Sequence, residues 1–298
     1  MRIFVTGATG FVGEAVVREL LAAGHSVLGL ARSAAGAEAL ARTGAAVHRG
    51  DLLDTQGLVA GAKACDGVIH TAFIHDFSRF KENCEVDRRA IEALGSALTG
   101  SDRPLVVTSG TGLLSSTRIV TEEDVPASGP HAIPRVASEE AAASMVARGV
   151  NVSVVRLPPS VHGDGDHGFV ALLIGLAREK GVSAYVDEGL NRWPAVHRFD
   201  AAGVFRLAVE KGIAGARYHG LAEEGVPFRN IAGVIGRRLN LPIVSKDAGE
   251  AAEHFGWFAH FAAMDNLASS QRTRELLGWE PKQVGLIADI DRPRYFEG

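Results

Sequence analysis

The chain has 298 residues, 46% of them apolar and 22% charged, enough to bury a substantial core and a poor match to a disordered, coiled-coil or collagen-like chain. Lys and Arg number 31 against 35 Asp and Glu, a net charge of −4 with no block of like charges; the basic stripe that neutralises phosphates is missing, and no nucleic-acid partner is expected. Cys65 and Cys84 are too few for a disulfide framework and lack CxxC spacing, and no apolar run reaches the roughly 20 residues that span a bilayer, so no membrane partner is expected.

Met1 and Arg2 lead directly into Ile3-Phe4-Val5-Thr6-Gly7, a strand entering a glycine turn and not a signal peptide, which makes a cytoplasmic protein the expectation. Strands are predicted at 2 to 6, 26 to 30, 45 to 48, 67 to 71, 104 to 108 and 152 to 156. Helical patterns lie between them: 12 to 23 closed by Gly24, 35 to 42 closed by Gly44, a short turn near 55 to 62, a long stretch near 79 to 98, and 133 to 147 closed by Gly149. This alternation predicts an α/β fold, a doubly wound parallel sheet. After Leu157 the rhythm breaks at a Pro/Gly-rich loop, followed by helices near 168 to 180, 200 to 211, 227 to 239, 248 to 263 and 270 to 277. We expect a dinucleotide-binding domain of residues 1 to 157 plus about 194 to 220, with a smaller substrate-binding lobe from about 158 to 193 and 221 to 298.

Gly7-Ala8-Thr9-Gly10-Phe11-Val12-Gly13 follows the first strand and opens an amphipathic helix. Glycine allows the tight turn, lets the backbone approach a pyrophosphate and permits close helix-strand packing, while free amides and the helix dipole face the phosphates. About 20 residues on, where an NAD site places a carboxylate for the ribose 2′-hydroxyl, Arg32-Ser33 stands instead; an arginine and a hydroxyl suit a 2′-phosphate, so NADP(H) is preferred over NAD(H). Asp51, beside Leu52, is read either as an acceptor for the adenine amine or as a helix cap, and Thr71-Ala72 as lining for the ribose and diphosphate.

Together with Gly50-Asp51-Leu52, Val107-Thr108-Ser109-Gly110, Arg156-Leu157-Pro158-Pro159, Val161-His162-Gly163, Val196-His197-Arg198-Phe199-Asp200 and Leu276-Leu277-Gly278-Trp279-Glu280-Pro281, these residues resemble an extended short-chain dehydrogenase/reductase of the NAD-dependent epimerase/dehydratase superfamily. The resemblance covers nearly the whole chain. It implies a Rossmann sheet of about seven strands, a C-terminal substrate lobe, a small-molecule substrate, Leu157-Pro158-Pro159 against the nicotinamide, and a homodimer paired through the helices near 79 to 98 and 134 to 147.

The family's catalytic Tyr, with a Lys four residues later, is missing. Arg135-Val136-Ala137-Ser138-Glu139 fills the matching stretch, and the only tyrosines are Tyr185, Tyr218 and Tyr295. Candidates left at the reacting centre are Ser109 and Thr111, whose hydroxyls could orient a substrate oxygen, and Arg135, which could steady an oxyanion or simply pair with a carboxylate. His162-Gly163-Asp164-Gly165-Asp166-His167 matches no calcium or zinc spacing; His197 is read as a structural histidine or a substrate contact, and the aromatic stretch 254 to 261 as core or as a pocket roof. The expected function is an atypical NADP(H)-dependent oxidoreductase reducing a small apolar or aromatic carbonyl, imine or polarised alkene. The alternatives are a nucleotide-binding sensor and a nucleotide-sugar epimerase or dehydratase.

Overall fold

A computed structural model describes residues 1–114 and 118–297. The first half runs β1 (Arg2–Thr6), α1 (Phe11–Ala22), β2 (Ser26–Ala31), α2 (Ala34–Arg42), β3 (Ala46–Arg49), α3 (Thr55–Lys63), β4 (Gly67–His70), α4 (Phe80–Leu98), β5 (Leu105–Gly110), α5 (Ala137–Ala147) and β6 (Val152–Leu157). It continues through β7 (Ser160–His162), α6 (Phe169–Lys180), β8 (Ser183–Val186), β9 (Arg192–His197), α7 (Arg198–Lys211), β10 (Arg217–His219), β11 (Glu223–Pro227) and α8 (Phe228–Leu239). The chain closes with β12 (Ile243–Lys246), α9 (Ala248–Phe255), α10 (Ala259–Ala263), α11 (Gln271–Leu277) and α12 (Leu286–Ile290).

Seven strands form one parallel sheet in the order β10-β6-β5-β4-β1-β2-β3. Strand side chains alternate between faces, so each strand feeds two cores. Ile3, Val5, Val106 and Val155 pack with α1 and α7 through Val16, Leu20 and Phe205. Phe4, Leu105, Val107 and Val154 pack with α3, α4 and α5 through Leu58, Ile91, Leu94 and Met145. A third cluster, built on Leu173, Trp193, Phe228, Ile231, Phe258 and Leu286, joins α6, α8, α12 and the aromatic segment. Two smaller sheets, β11-β9-β7 and β12-β8, complete the fold.

Four local expectations are corrected. The turn near 55 to 62 is a full helix, α3: Asp54 caps it by accepting from the Gly57 amide at 2.9 Å, and Gly61 lies so close to the Phe4 ring that an added Cβ would sit 2.4 Å from it. Tertiary contact thus overrides the weak helix propensity of its glycines. The loop after Leu157 contains β7, formed because Val161 pairs in parallel with the distant Val196. The helix near 248 to 263 breaks at Gly256, whose φ of 56° ends α9. Helix α12, which the sequence reading missed, starts where Glu223 accepts from the Leu286 amide at 2.6 Å.

Candidate functional site

The sheet order reverses between β1 and β4, and a crevice for a ligand opens at the carboxyl ends of these neighbours. Gly7 turns the chain there with φ +68°, and an added Cβ would lie 2.7 Å from both the Ala72 nitrogen and Thr71 Oγ1. Gly13 presses α1 onto the turn; its Cβ would fall 1.9 Å from the Gly7 carbonyl oxygen. Gly10, whose amide donates to the Gly7 carbonyl at 2.8 Å, precedes α1 without a side-chain cap, so the first helical amides, from Phe11 and Val12 onward, face the crevice with no side chain closing them off. Thr9 approaches Gly36 at the start of α2, and Thr71 Oγ1 donates to the Thr6 carbonyl at 2.8 Å. This cradle fits a pyrophosphate. Glu14 in the first turn of α1 would repel one, but Arg18 at 2.6 Å and Arg198 at 3.1 Å pair with it. Burial works to raise the Glu14 pKa, yet the two arginines hold it below its ordinary value.

At the opposite end of the crevice Arg32 is exposed after β2, and Arg49 ends β3 with its Nη2 donating to the Arg32 carbonyl at 3.3 Å. Neither guanidinium has an ion-pair partner among the described residues. Ser33 accepts from the Gly36 amide at 3.0 Å and so caps α2. Asp51 Oδ1 accepts from the amides of Leu53 and Asp54 in a turn of its own, while Asp54 caps α3; Leu52 is buried beneath.

The tyrosine and lysine positions hold opposite halves of two buried ion-pair networks. Arg135 Nη1 donates to Asp87 at 2.6 Å and to Ser138, Nη2 donates to the Thr108 carbonyl at 3.0 Å, and the guanidinium lies 4.2 Å over the Phe73 ring. Asp87 also meets His70 Nε2 at 3.0 Å, and His70 Nδ1 lies 2.7 Å from Thr6 Oγ1, linking Arg135 back to the end of β1. Burial pushes the Asp87 carboxyl up, but Arg135, His70 and Ser138 together hold it well below the usual range. In the second network Glu139 receives Arg156 through Nε at 2.8 Å and Nη2 at 2.7 Å, and Ser109 Oγ at 2.7 Å. Thr111 Oγ1 donates to Asn266 Oδ1 at 2.7 Å. Ser109 and Thr111 are both buried, with their hydroxyl protons directed inward. Leu157-Pro158-Pro159 follows β6 at the same edge, with Leu157 beside Gly110.

The segment 71 to 79, leaving β4, carries residues that sequence reasoning did not single out. Phe73, His75 and Phe77 come together there, with the His75 ring 5.2 Å from that of Phe73. Phe77 stacks on Trp257 at 4.7 Å and 23°, and also meets Phe169 and Phe261. Within the 254 to 261 stretch Phe255 and Phe258 are core, whereas Trp257 is 54% exposed and carries the Phe77 stack. His167 lies against Phe11 at 5.7 Å, facing α1. The available signal was an imidazole among aromatics just past a central strand, where ligands bind such sheets.

Three further histidines, His162, His197 and His219, are buried. His162 Nδ1 lies 2.8 Å from Asp289, and His197 accepts from the Phe199 amide at the start of α7. His219 Nδ1 lies 2.7 Å from the Ser269 carbonyl, and its Nε2 faces Arg156 at 3.3 Å. Burial holds both His197 and His219 down at about 4. Histidines with lowered folded pKa values contribute stability that is present above the unfolded value of about 6.5 and lost as pH falls through the folded value. The urea midpoint is therefore expected to drop between about pH 6.5 and 4, and His197→Gln to flatten that slope. No helix among the described residues is long and apolar enough to cross a membrane.

Residues 3–219 match the NAD dependent epimerase/dehydratase family. An uncharacterized protein of Schizosaccharomyces pombe is 50% identical over 297 residues, covering 99% of this chain and 100% of that one. A decarboxylating sterol-4-alpha-carboxylate 3-dehydrogenase of Dictyostelium discoideum is 28% identical over 76% of this chain and 73% of its own. Among solved structures, the dTDP-glucose 4,6-dehydratase DesIV of Streptomyces venezuelae, with NAD and TYD bound, superposes with a TM-score of 0.79 at 20% identity over 99% of this chain and 97% of that one. The motif, the sheet order and the match across 3–219 agree: this chain belongs to the NAD dependent epimerase/dehydratase family.

Proposed function

We propose that the protein is an NADP(H)-dependent reductase acting on a small carbonyl, imine or polarised alkene with an apolar or aromatic body, as a cytoplasmic enzyme. The observation that carries this is the uncapped α1 turn at the β1/β4 crevice, with Arg32 and Arg49, neither in an ion pair among the described residues, at the end that would take the adenosine. Gly7, Thr9, Gly10, Phe11, Val12 and Gly13 would hold the pyrophosphate, Arg32 and Arg49 the 2′-phosphate, and Leu157, Pro158 and Pro159 would wall the other half. A bound nicotinamide supplies or accepts a hydride. Arg135 keeps its Nε–H and one Nη2 hydrogen free of protein acceptors among the described residues, and offers them to an oxygen on which charge develops. Ser109 and Thr111 anchor the β5 end beneath it, and Phe77, Trp257 and Phe261 face the substrate's apolar body. The family resemblance adds pairing of two copies through α4 and α5, which sedimentation would read.

Titration with NADPH and NADH, followed by nicotinamide fluorescence, tests the cofactor, and a panel of aldehydes, ketones, imines and activated alkenes tests turnover. NADPH is expected to bind more tightly. Arg32→Glu is expected to weaken NADPH by about tenfold or more while leaving NADH nearly unchanged. A nucleotide sensor is the second reading, favoured by the internal pairing of both Arg135 and Glu139. Tight binding with no oxidation across the panel would decide for it.

A further inference from the structure

We infer that His75 is the proton-exchanging group of this site, standing beside Arg135 at the nicotinamide end of the cleft and taking the place of the missing tyrosine. The inference rests on the reductase reading above. In a doubly wound sheet the second mononucleotide half covers the strands on the far side of the switch point, here β4, β5 and β6. Arg135 marks that end, because it bonds the Thr108 carbonyl near the tip of β5 and lies 4.2 Å over Phe73. His75 packs edge-on against the same Phe73 ring at 5.2 Å and is exposed to solvent, so it can reload its proton.

Other candidates at this end fail on geometry or chemistry. Arg135 does not release a proton at working pH. Ser109 and Thr111 are buried with their protons on Glu139 and Asn266. The charged groups facing His75 are Arg135 from the turn before α5, His167 from the loop before α6 and Asp87 from α4, with Asp76 its neighbour in the chain. Although the His75 ring is open to solvent on one side, the side chains packed around it displace enough water to lower its pKa, and Arg135 and His167 lower it further against the Phe73 carbonyl and Asp87. An imidazolium so placed is a stronger acid than a free one. In the reductive direction a bound reduced nicotinamide would supply the hydride to the carbonyl carbon, the C–O π pair would move to oxygen, and that oxygen would take the proton from the His75 imidazolium. Alcohol, oxidised nucleotide and neutral imidazole result, and water reprotonates the ring.

The test has a readout that does not need turnover. Oxidised nicotinamide carries a positive ring, so beside His75 its binding opposes protonation of the imidazole. NADP+ affinity is expected to rise by about twofold or more from pH 5 to 7.5, more than NADPH affinity does. His75→Gln should abolish that difference, and His167→Gln should keep it, with thermal melts confirming folding of each. Should a panel aldehyde such as 4-nitrobenzaldehyde be reduced, the fall of kcat/KM with rising pH should disappear in His75→Gln. A pH-dependent difference that survives in His75→Gln, or that is lost only in His167→Gln, overturns the inference alone. Absence of binding by either nucleotide overturns the reductase reading and this inference with it.

Discussion

Glu139→Lys, which would return half of the family's Tyr/Lys pair, is expected to abolish soluble folded protein. Glu139 receives both Nε and Nη2 of Arg156, a guanidinium with no exposed surface, and a lysine in its place would set two cations together in the core. Glu139→Gln, which removes only the charge, is expected to cost about 3–5 kcal/mol in urea unfolding, because Arg156 is left buried and uncompensated. Arg156→Met should cost a similar amount for the converse reason. The double replacement Glu139→Met with Arg156→Met should fall well short of the sum, since a buried pair replaced by apolar groups of similar volume is often close to neutral. Strict additivity of the two single losses would show that they do not act as a pair. Restoring the tyrosine alone meets the same obstacle: Arg135→Tyr removes the partner of the buried Asp87 and leaves that carboxylate with His70 and Ser138.

Gly13→Ala and Gly10→Val are expected to fail in different ways, although both fall in one motif. The Cβ that Gly13→Ala adds would lie 1.9 Å from the Gly7 carbonyl oxygen and 2.6 Å from its carbon, both backbone atoms, so α1 must move off the sheet. The loss is expected to be about 3 kcal/mol or more, visible as a lowered melting temperature with or without nucleotide. At Gly10 the backbone is extended at φ −85° and an added Cβ would come 3.2 Å from the Gly7 carbonyl oxygen, a tight contact that asks for a shift of a few tenths of an ångström and costs the fold far less than at Gly13. A side chain there would stand beside the uncapped α1 amides proposed to hold the phosphates. Gly10→Val should therefore melt within a few degrees of the parent and bind NADPH at least about tenfold more weakly. Unchanged NADPH affinity in Gly10→Val would remove the turn from the binding site.

Six of the seven strands of the main sheet and the glycine turn were legible from the residues in order, because they are local, whereas the edge strand β10 (Arg217–His219) was not singled out. Alternating apolar strands and glycine-closed helices repeat within about 30 residues, and Gly7, Gly10 and Gly13 act within a single strand-turn-helix. The absence of the Tyr/Lys pair was equally legible, as a plain matter of residue identity at Arg135 and Glu139. What replaces that pair was not. Arg135 meets Asp87 from 48 positions away, Glu139 meets Arg156 across 17, and Thr111 meets Asn266 across 155. Such pairings cannot be found from spacing, and they decide whether a hydroxyl faces a ligand or the core. The same holds for the exposed aromatic cluster, where Phe77 meets Trp257 only because the segment after β4 folds back onto α9 and α10. Packing in three dimensions separated Trp257, exposed against Phe77, from Phe258 beside it in the core, since adjacent residues of one helical turn point to different sides.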